Sequence, residues 1–410
     1  MFRLTILVII LSIQTFLYLR ARRWIRTRFP EKRQLMMWLT SLFIVFDGSL
    51  ALVLLLRPSI SIFPPWAIIL AVDPFYIWHG ASLILGIILL VFAAAALPLR
   101  LLLELLRKLP ATRDLIRALI ERPDVQRFDA SRRQFLTRGV YGLTAASFGT
   151  TAYGVLEGKN GFELTDARFV IPDLHPALDG FTIGLLSDIH SGAFMSKSEM
   201  DAYVQGALSL GADLLVVTGD FVNSQTEEVY PFAESFSALH APCGVYGVMG
   251  NHDFFAPDPE RVAREVDECG VRLLRNDHTV VEKGGGAFYL LGVDDVGRPD
   301  RALTLMDTAA RQTPRSIPRI LLCHRPYFLP QASEKNIDLV LSGHTHGGQV
   351  VLGRLGGLTV TPASLFSPYV WGSYRFNKTS MYVSRGIGTV GIPMRVNCPP
   401  EITKIVLNRS

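Results

Sequence analysis

Five of the chain's nine histidines stand in short polar motifs, each directly after an apolar run. Asp188-Ile189-His190 follows residues 181–187, and Gly219-Asp220 follows 213–218. Gly250-Asn251-His252-Asp253 follows 244–249, His324 follows 319–323, and Gly343-His344-Thr345-His346 follows 338–342. Carboxylate, amide and imidazole are the hard and borderline donors that divalent cations accept. Two such cations about 3.5 to 4 Å apart neutralise an anionic phosphate ester and lower the pKa of a water held between them. The chemistry these residue types suit is metal-assisted hydrolysis at phosphorus. Each fragment alone is weak, since a histidine at a strand end is more often a hydrogen-bonded structural residue. The five together, in this order, are not explained that way.

The elements that must position them read as an α/β domain. The apolar runs before the motifs are β-rich and short, and residues 197–210 between the first two have helical spacing. Five strands thus deliver polar residues from their C-terminal ends, where open α/β sheets bind ligands. In His344-Thr345-His346, residues two apart on an extended or tightly turned segment can project their rings to the same side. Gly343, Gly347 and Gly348 let that backbone approach closely.

The order D-x-H, G-D, G-N-H-D, H, G-H-x-H resembles the calcineurin-like metallophosphoesterase superfamily over residues 160–408. The run Gly343 to Gln349, Ser384 to Gly388 and Pro399-Pro400-Glu401 are similar to its bacterial membrane-associated or exported branch. The resemblance implies a fold of two mixed β-sheets packed face to face with helices outside, a four-layer α/β/β/α sandwich. It implies that Asp188, His190 and His346 hold one divalent ion (manganese, iron or zinc), that Asn251, His324 and His344 hold a second, and that Asp220 bridges them. His252 is then a catalytic residue over the leaving group, able to donate it a proton. Asp253 reads either as the acid that orients the His252 ring or as a cap on the following segment. His79, His175, His240 and His278 fall outside the motifs, and Arg385 reads as a surface or packing residue ahead of a phosphate contact.

The remainder of the chain is of another kind. Of 410 residues, 49% are hydrophobic, and the net charge of +5 hides two opposite halves. Through residue 140 there are 19 Lys and Arg against 8 Asp and Glu, or +11; the rest carries 22 against 28, or −6. The cations flank apolar runs, which fits membrane topology rather than nucleic-acid binding. Runs at 2–19, 35–56 and 77–97, the last continuing toward Leu106, are long enough to cross a bilayer as helices. Residues 58–74, rich in proline, read as an interfacial loop, and 107–138 as a basic cytoplasmic loop. Arg20 to Arg33 reads as a loop with seven basic residues and one acid, so the positive-inside rule places it in the cytoplasm. Ser131-Arg132-Arg133-Gln134-Phe135-Leu136 before the weakly apolar run 139–156 resembles a twin-arginine export signal, although it is internal. The other reading is an arginine pair before an ordinary fourth helix, and either sends residue 160 onward outside. The four cysteines, Cys243, Cys269, Cys323 and Cys398, form no CxxC pair.

The expectation is a multi-pass protein of a bacterial inner membrane. Its extracytoplasmic domain would hydrolyse a phosphodiester or pyrophosphate through a hydroxide bridging the metals, a lipid-linked substrate being suggested by the branch. A phosphomonoesterase, and a non-catalytic metal-binding membrane sensor or scaffold, stay open as alternatives.

Overall fold

The computed structural model describes residues 2–56, 63–157, 161–355 and 358–410, which form two compact units, 1–58 with 65–155 and 59–64 with 156–410. The first unit is helical: α1 Phe2–Arg28, α2 Arg33–Leu56, α3 Pro65–Ala67, α4 Asp73–Lys108, α5 Pro110–Ile120 and α6 Pro123–Glu157. Among the described residues three helical stretches are long and apolar enough to cross a membrane: Leu4–Arg28, Arg33–Val53 and Ile68–Lys108. Many of their large apolar side chains, such as Val8, Trp38, Val45 and Leu70, are exposed, as helices facing lipid require.

Three expectations about this unit are corrected. The basic segment from Arg20 continues α1 as helix to Arg28. The proline-rich stretch is helical from Pro65, through a π-helical turn at Ile68–Val72 into α4, while residues 57–62 lie outside the described residues. Pro65 and Pro74 sit at helix starts, where a missing N–H costs nothing, so they open helix rather than break it. Residues 107–138 likewise form helix, the end of α4, then α5 and the first half of α6, with the arginine pair inside α6. Residues 139–157 are the second half of α6, which is not among the three apolar stretches.

The second unit contains β1 Glu163–Ile171, β2 Phe181–Leu186, α7 Lys197–Ser209, β3 Leu214–Val217, α8 Val229–Phe236, β4 Val245–Gly247, α9 Asn251–Phe255 and α10 Pro259–Glu268. Next come β5 Arg272–Leu273, β6 Asp277–Lys283, β7 Gly286–Val293, α11 Pro299–Ala309, β8 Arg319–Cys323, α12 Leu329–Glu334, β9 Leu339–Ser342, β10 Gly353–Leu355, β11 Leu358–Val360, β12 Gly372–Phe376, β13 Thr379–Val383 and β14 Glu401–Arg409. One six-stranded sheet runs β1-β14-β2-β3-β4-β5, the other β12-β13-β9-β8-β7-β6, and β10 pairs with β11 in a separate hairpin. Each large sheet is mixed, antiparallel at β14–β2 in one and at β12–β13 and β6–β7 in the other.

Strand side chains alternate faces, and here both faces are buried. Ile183, Leu185, Leu214 and Val216 of the first sheet meet Leu290, Ile320, Leu322, Leu339 and Leu341 of the second. Leu186, Leu215 and Val217 point outward against α7, α8 and α10. On the far side Leu291, Leu321, Val340 and Met381 pack on α11 and α12. The result is the four-layer α/β/β/α sandwich that the resemblance implies. All four cysteines are free thiols.

Candidate metal centre

The ligand candidates sit just past the strand ends, in backbone that most side chains avoid. Asp188, His190, Asp220, His344 and His346 all have positive φ, between 49° and 74°. Such residues cost free energy unless the surroundings over-determine them. Here the loops after β2 and β3 bind each other: Asp188 N donates to Gly219 O at 3.0 Å, His190 N to Asp220 O at 2.9 Å and Ser191 N to Phe221 O at 3.0 Å. The N–H of His344 reaches the Asp188 carboxylate at 3.0 Å, and that of His252 reaches Asp220 Oδ1 at 2.8 Å. Gly250 packs so closely on Asp220, and Gly343 on Ser187 and Asp188, that a Cβ at either would collide with them.

The structure brings all seven candidate ligands and His252 into this region. Asp220 Oδ2 lies 3.4 Å from His190 Nε2 and 3.2 Å from His324 Nε2. His346 Nε2 is 3.4 Å from Asp188 Oδ1 and 3.1 Å from His190 Nε2, and His344 Nδ1 is 3.3 Å from His324 Nε2. Three overlapping sets of donor atoms result, Asp188 with His190 and His346, Asp220 with His324 and His344, and His190 with Asp220 and His252, each within a span of 4.8 Å. All are buried or nearly so.

The outer nitrogens set the tautomers. His324 Nδ1 donates to Thr218 O at 2.7 Å and His346 Nδ1 to Gly388 O at 3.2 Å, which leaves each Nε2 lone pair facing the cluster. Asn251 Oδ1 is buried without a hydrogen-bond partner among the described residues. A buried acceptor left unpaired costs roughly 1–3 kcal/mol, and a cation at that oxygen removes the cost. The donors present, two carboxylates, an amide oxygen and four imidazoles, fit a divalent metal.

Charge follows the same plan. Burial drives His190 and His346 below the usual histidine range, and burial with the neighbouring His324 pushes His344 down to about 2. Burial lowers His324 too, but the Asp220 carboxylate outweighs it and pushes the ring up to about 10. Asp220 is held well below the ordinary carboxylate range, its burial overcome by His324 and His190. The proton on His324 stands beside Asp220 where a cation would replace it.

His252, half-buried at the start of α9, places its ring 4.6 Å from that of His190, and its Nδ1 donates to Asn223 O at 2.5 Å. Asp253 does not orient this ring. Its Oδ2 accepts from Asp220 N at 3.0 Å and Gly250 N at 2.8 Å, and its Oδ1 from Val222 N at 3.1 Å. The Asp253 carboxylate instead holds buried N–H groups that precede it in the chain, two in the loop after β3 and one at Gly250, while Asp258 caps the following helix, so both the ring-orienting and the following-segment cap readings are corrected.

Arg385 is buried: Nε pairs with Glu401 and a terminal nitrogen with Glu163, both at 2.7 Å, and its guanidinium lies 4.4 Å over the Trp371 ring. It packs rather than faces a substrate. Sequence reasoning missed Arg395, also buried, which donates to the carbonyls of Arg385, Gly386 and Gly388. Gly388 O is the acceptor that also fixes His346, so Arg395 shapes the wall behind one ligand. A lone arginine between Met394 and Val396 is its only signal in the sequence. His175, His240 and His278 bond to nearby backbone, and His79 to Gln14 and the Phe46 carbonyl.

The family model for the calcineurin-like phosphoesterase matches residues 181–348, the span from β2 through the His344 motif. A Danio rerio "transmembrane protein with metallophosphoesterase domain" is 33% identical over 63% of this chain and 60% of its own length. This chain therefore spans about three fifths of that relative. An uncharacterized metallophosphoesterase of Helicobacter pylori is 31% identical over 68% of this chain and 71% of the relative. Another from Bacillus subtilis, YkuE, is 29% identical over 68% and 97%. With the sandwich, the strand-end donors and these relatives in agreement, the chain belongs to the calcineurin-like metallophosphoesterases.

Proposed function

We propose that this protein is a membrane-anchored phosphoesterase that hydrolyses a phosphodiester or pyrophosphate bond with two divalent cations, on a substrate that resides in lipid. The observation that carries the reading is the shared oxygen: Asp220 Oδ2 stands between His190 Nε2 and His324 Nε2, at 3.4 and 3.2 Å. Asp188, His190 and His346 would hold one manganese, iron or zinc ion, Asn251, His324 and His344 the other, and Asp220 both. Such a pair, when bound, supplies charge neutralisation and an acidified attacking water. The protein's own part is orientation and proton transfer. His252, with Nδ1–H tied to Asn223 O, would as the imidazolium pass its Nε2 proton to the leaving oxygen and remain as the neutral Nδ1–H ring.

In this reading α6 carries the chain across the cell membrane to the domain outside it. Tyr141 accepts a hydrogen bond from Trp24 Nε1 at 3.0 Å, near the arginine-rich end of α1, while Phe148 meets Trp78 near the start of α4. Val140 and Leu143 pack against the group formed by Ile13, Leu17, Leu85 and Leu89, and Thr151 and Val155 are fully buried. Residues 139–156 carry no charge and run alongside the apolar helices. This supports a fourth crossing, which with a cytoplasmic Arg20–Arg33 segment exports the sandwich domain.

The test is turnover of bis(p-nitrophenyl) phosphate against p-nitrophenyl phosphate by the detergent-solubilised full chain with manganese, beside Asp220→Asn and His252→Ala. Diester cleavage lost in Asp220→Asn, and only modestly slowed in His252→Ala because p-nitrophenolate leaves without a proton, is the expected result. Preference for the monoester would make it a phosphomonoesterase. A folded, metal-loaded chain without turnover of either would turn the reading toward a non-catalytic metal domain.

A further inference from the structure

Residues 349–371, directly after the His344-Thr345-His346 motif, contain one charged residue, Arg354, and no acid. They form the β10–β11 hairpin and a short 3-10 turn at Pro362–Leu365. Leu365 and Phe366 are each 83% exposed and Leu352 is 71% exposed, with Val360 exposed as well. Leu352 N donates to Val360 O at 2.8 Å, so those two side chains belong to one hairpin, and Ser364 Oγ ties the turn to it through Thr359 O at 2.6 Å. Elsewhere in this unit exposed large apolar residues such as Leu164, Val170, Tyr230 and Val280 are dispersed along the chain. An apolar projection of this kind marks an interaction surface.

The projection is rooted in the metal loop. Thr361 Oγ1 donates to Gly348 O at 3.1 Å and Thr345 Oγ1 to Val370 O at 2.5 Å, so the segment is fastened to the ligand motif at its middle and near its C-terminal end. Its occupant is identified by two features of the same chain. Three membrane-length apolar helices precede the domain, and only residues 158–162 separate α6 from β1. With α6 crossing the membrane as proposed above, a link of five residues, at most about 18 Å long, keeps the domain near the surface of a bilayer. A segment without acids also suits a surface of anionic headgroups.

We propose that Leu352, Val360, Leu365 and Phe366 enter the bilayer interface, among the acyl chains, and so hold the metal centre against phosphate esters at the membrane surface. This rests on the phosphoesterase reading for its consequence, but not for its test. Phe366→p-benzoylphenylalanine in the full chain, reconstituted in phosphatidylethanolamine–phosphatidylglycerol vesicles, is irradiated and its adducts weighed by mass spectrometry. The same residue at Tyr230 and Phe376 gives the background from chance encounters. Phospholipid adducts several-fold above that background at position 366 are expected. Yields no higher than background, or adducts to a second copy of the chain, overturn the proposal. Repeating the experiment with Asp220→Asn removes turnover without touching the projection. Loss of hydrolysis and loss of lipid contact are thereby read separately.

Discussion

The backbone N–H of Asp220 donates to the carboxylate of Asp253 at 3.0 Å, so the acid that stands between His190 and His324 is itself positioned by a second, fully buried acid. Burial and the charge of Asp220 push Asp253 up to about 8, against the pull of its backbone donors. Asp253→Asn turns an amide N–H toward at least one of three backbone N–H groups. A loss of about 1–3 kcal/mol in stability is expected, with reduced metal content. Thermal melting and elemental analysis of the purified chain check both.

In the proposed centre His252 is a proton donor and not a ligand, so His252→Ala should leave metal content and melting temperature unchanged. Its kcat for an alkyl phosphodiester should fall about 10²- to 10⁴-fold. The fall should be much smaller for a p-nitrophenyl ester, whose leaving group needs no proton. Equal losses on both esters would assign the ring to charge stabilisation instead.

Metal and proton compete at His324. With the metal-free ring held up at about 10, loading must expel a proton, so apparent affinity should rise about tenfold per pH unit between about pH 7 and pH 9. The same shift stabilises the stripped protein. Because the folded value exceeds the ordinary 6.5, that contribution is complete below 6.5 and is lost as pH rises through about 10. Competition with a chelator at several pH values, and chemical denaturation of the stripped chain, measure the two.

Removal of the Arg385 guanidinium strands Glu401, which is fully buried. Arg385→Ala should cost about 3–5 kcal/mol. Glu163→Gln, at the exposed end of the same arginine, should cost under about 1 kcal/mol. Denaturant midpoints of the two variants should differ accordingly.

Protease added to spheroplasts should digest residues 163–409 while sparing the apolar helices. Complete protection of that domain would place it in the cytoplasm and remove α6 from the set of crossings.

The centre is legible in the sequence because its ligands lie where strands stop, and a change from apolar run to polar motif is local. β2, β3, β8 and β9 end within a residue of their expected ends. The features that escape depend on distant partners. Asp253 looks like a companion of His252 because they are neighbours in sequence, yet its carboxylate answers to Asp220, Val222 and Gly250. Arg395 carries no motif, and its value comes from three carbonyls that converge only in the fold. The helices from Pro65 and Pro123 look like loops because proline and arginine content hides positions where proline opens a helix.

The place of β14 bears on when this domain can fold. It is the latest strand to be synthesised, yet it lies between β1 and β2, parallel to one and antiparallel to the other. Until residues 401–409 leave the ribosome, those two strands have no common neighbour and each offers an open edge. Nascent chain would therefore reach the membrane with its first sheet unfinished, in a form that a channel for unfolded polypeptide could thread. A route that carries only folded cargo would have to wait for the last strand.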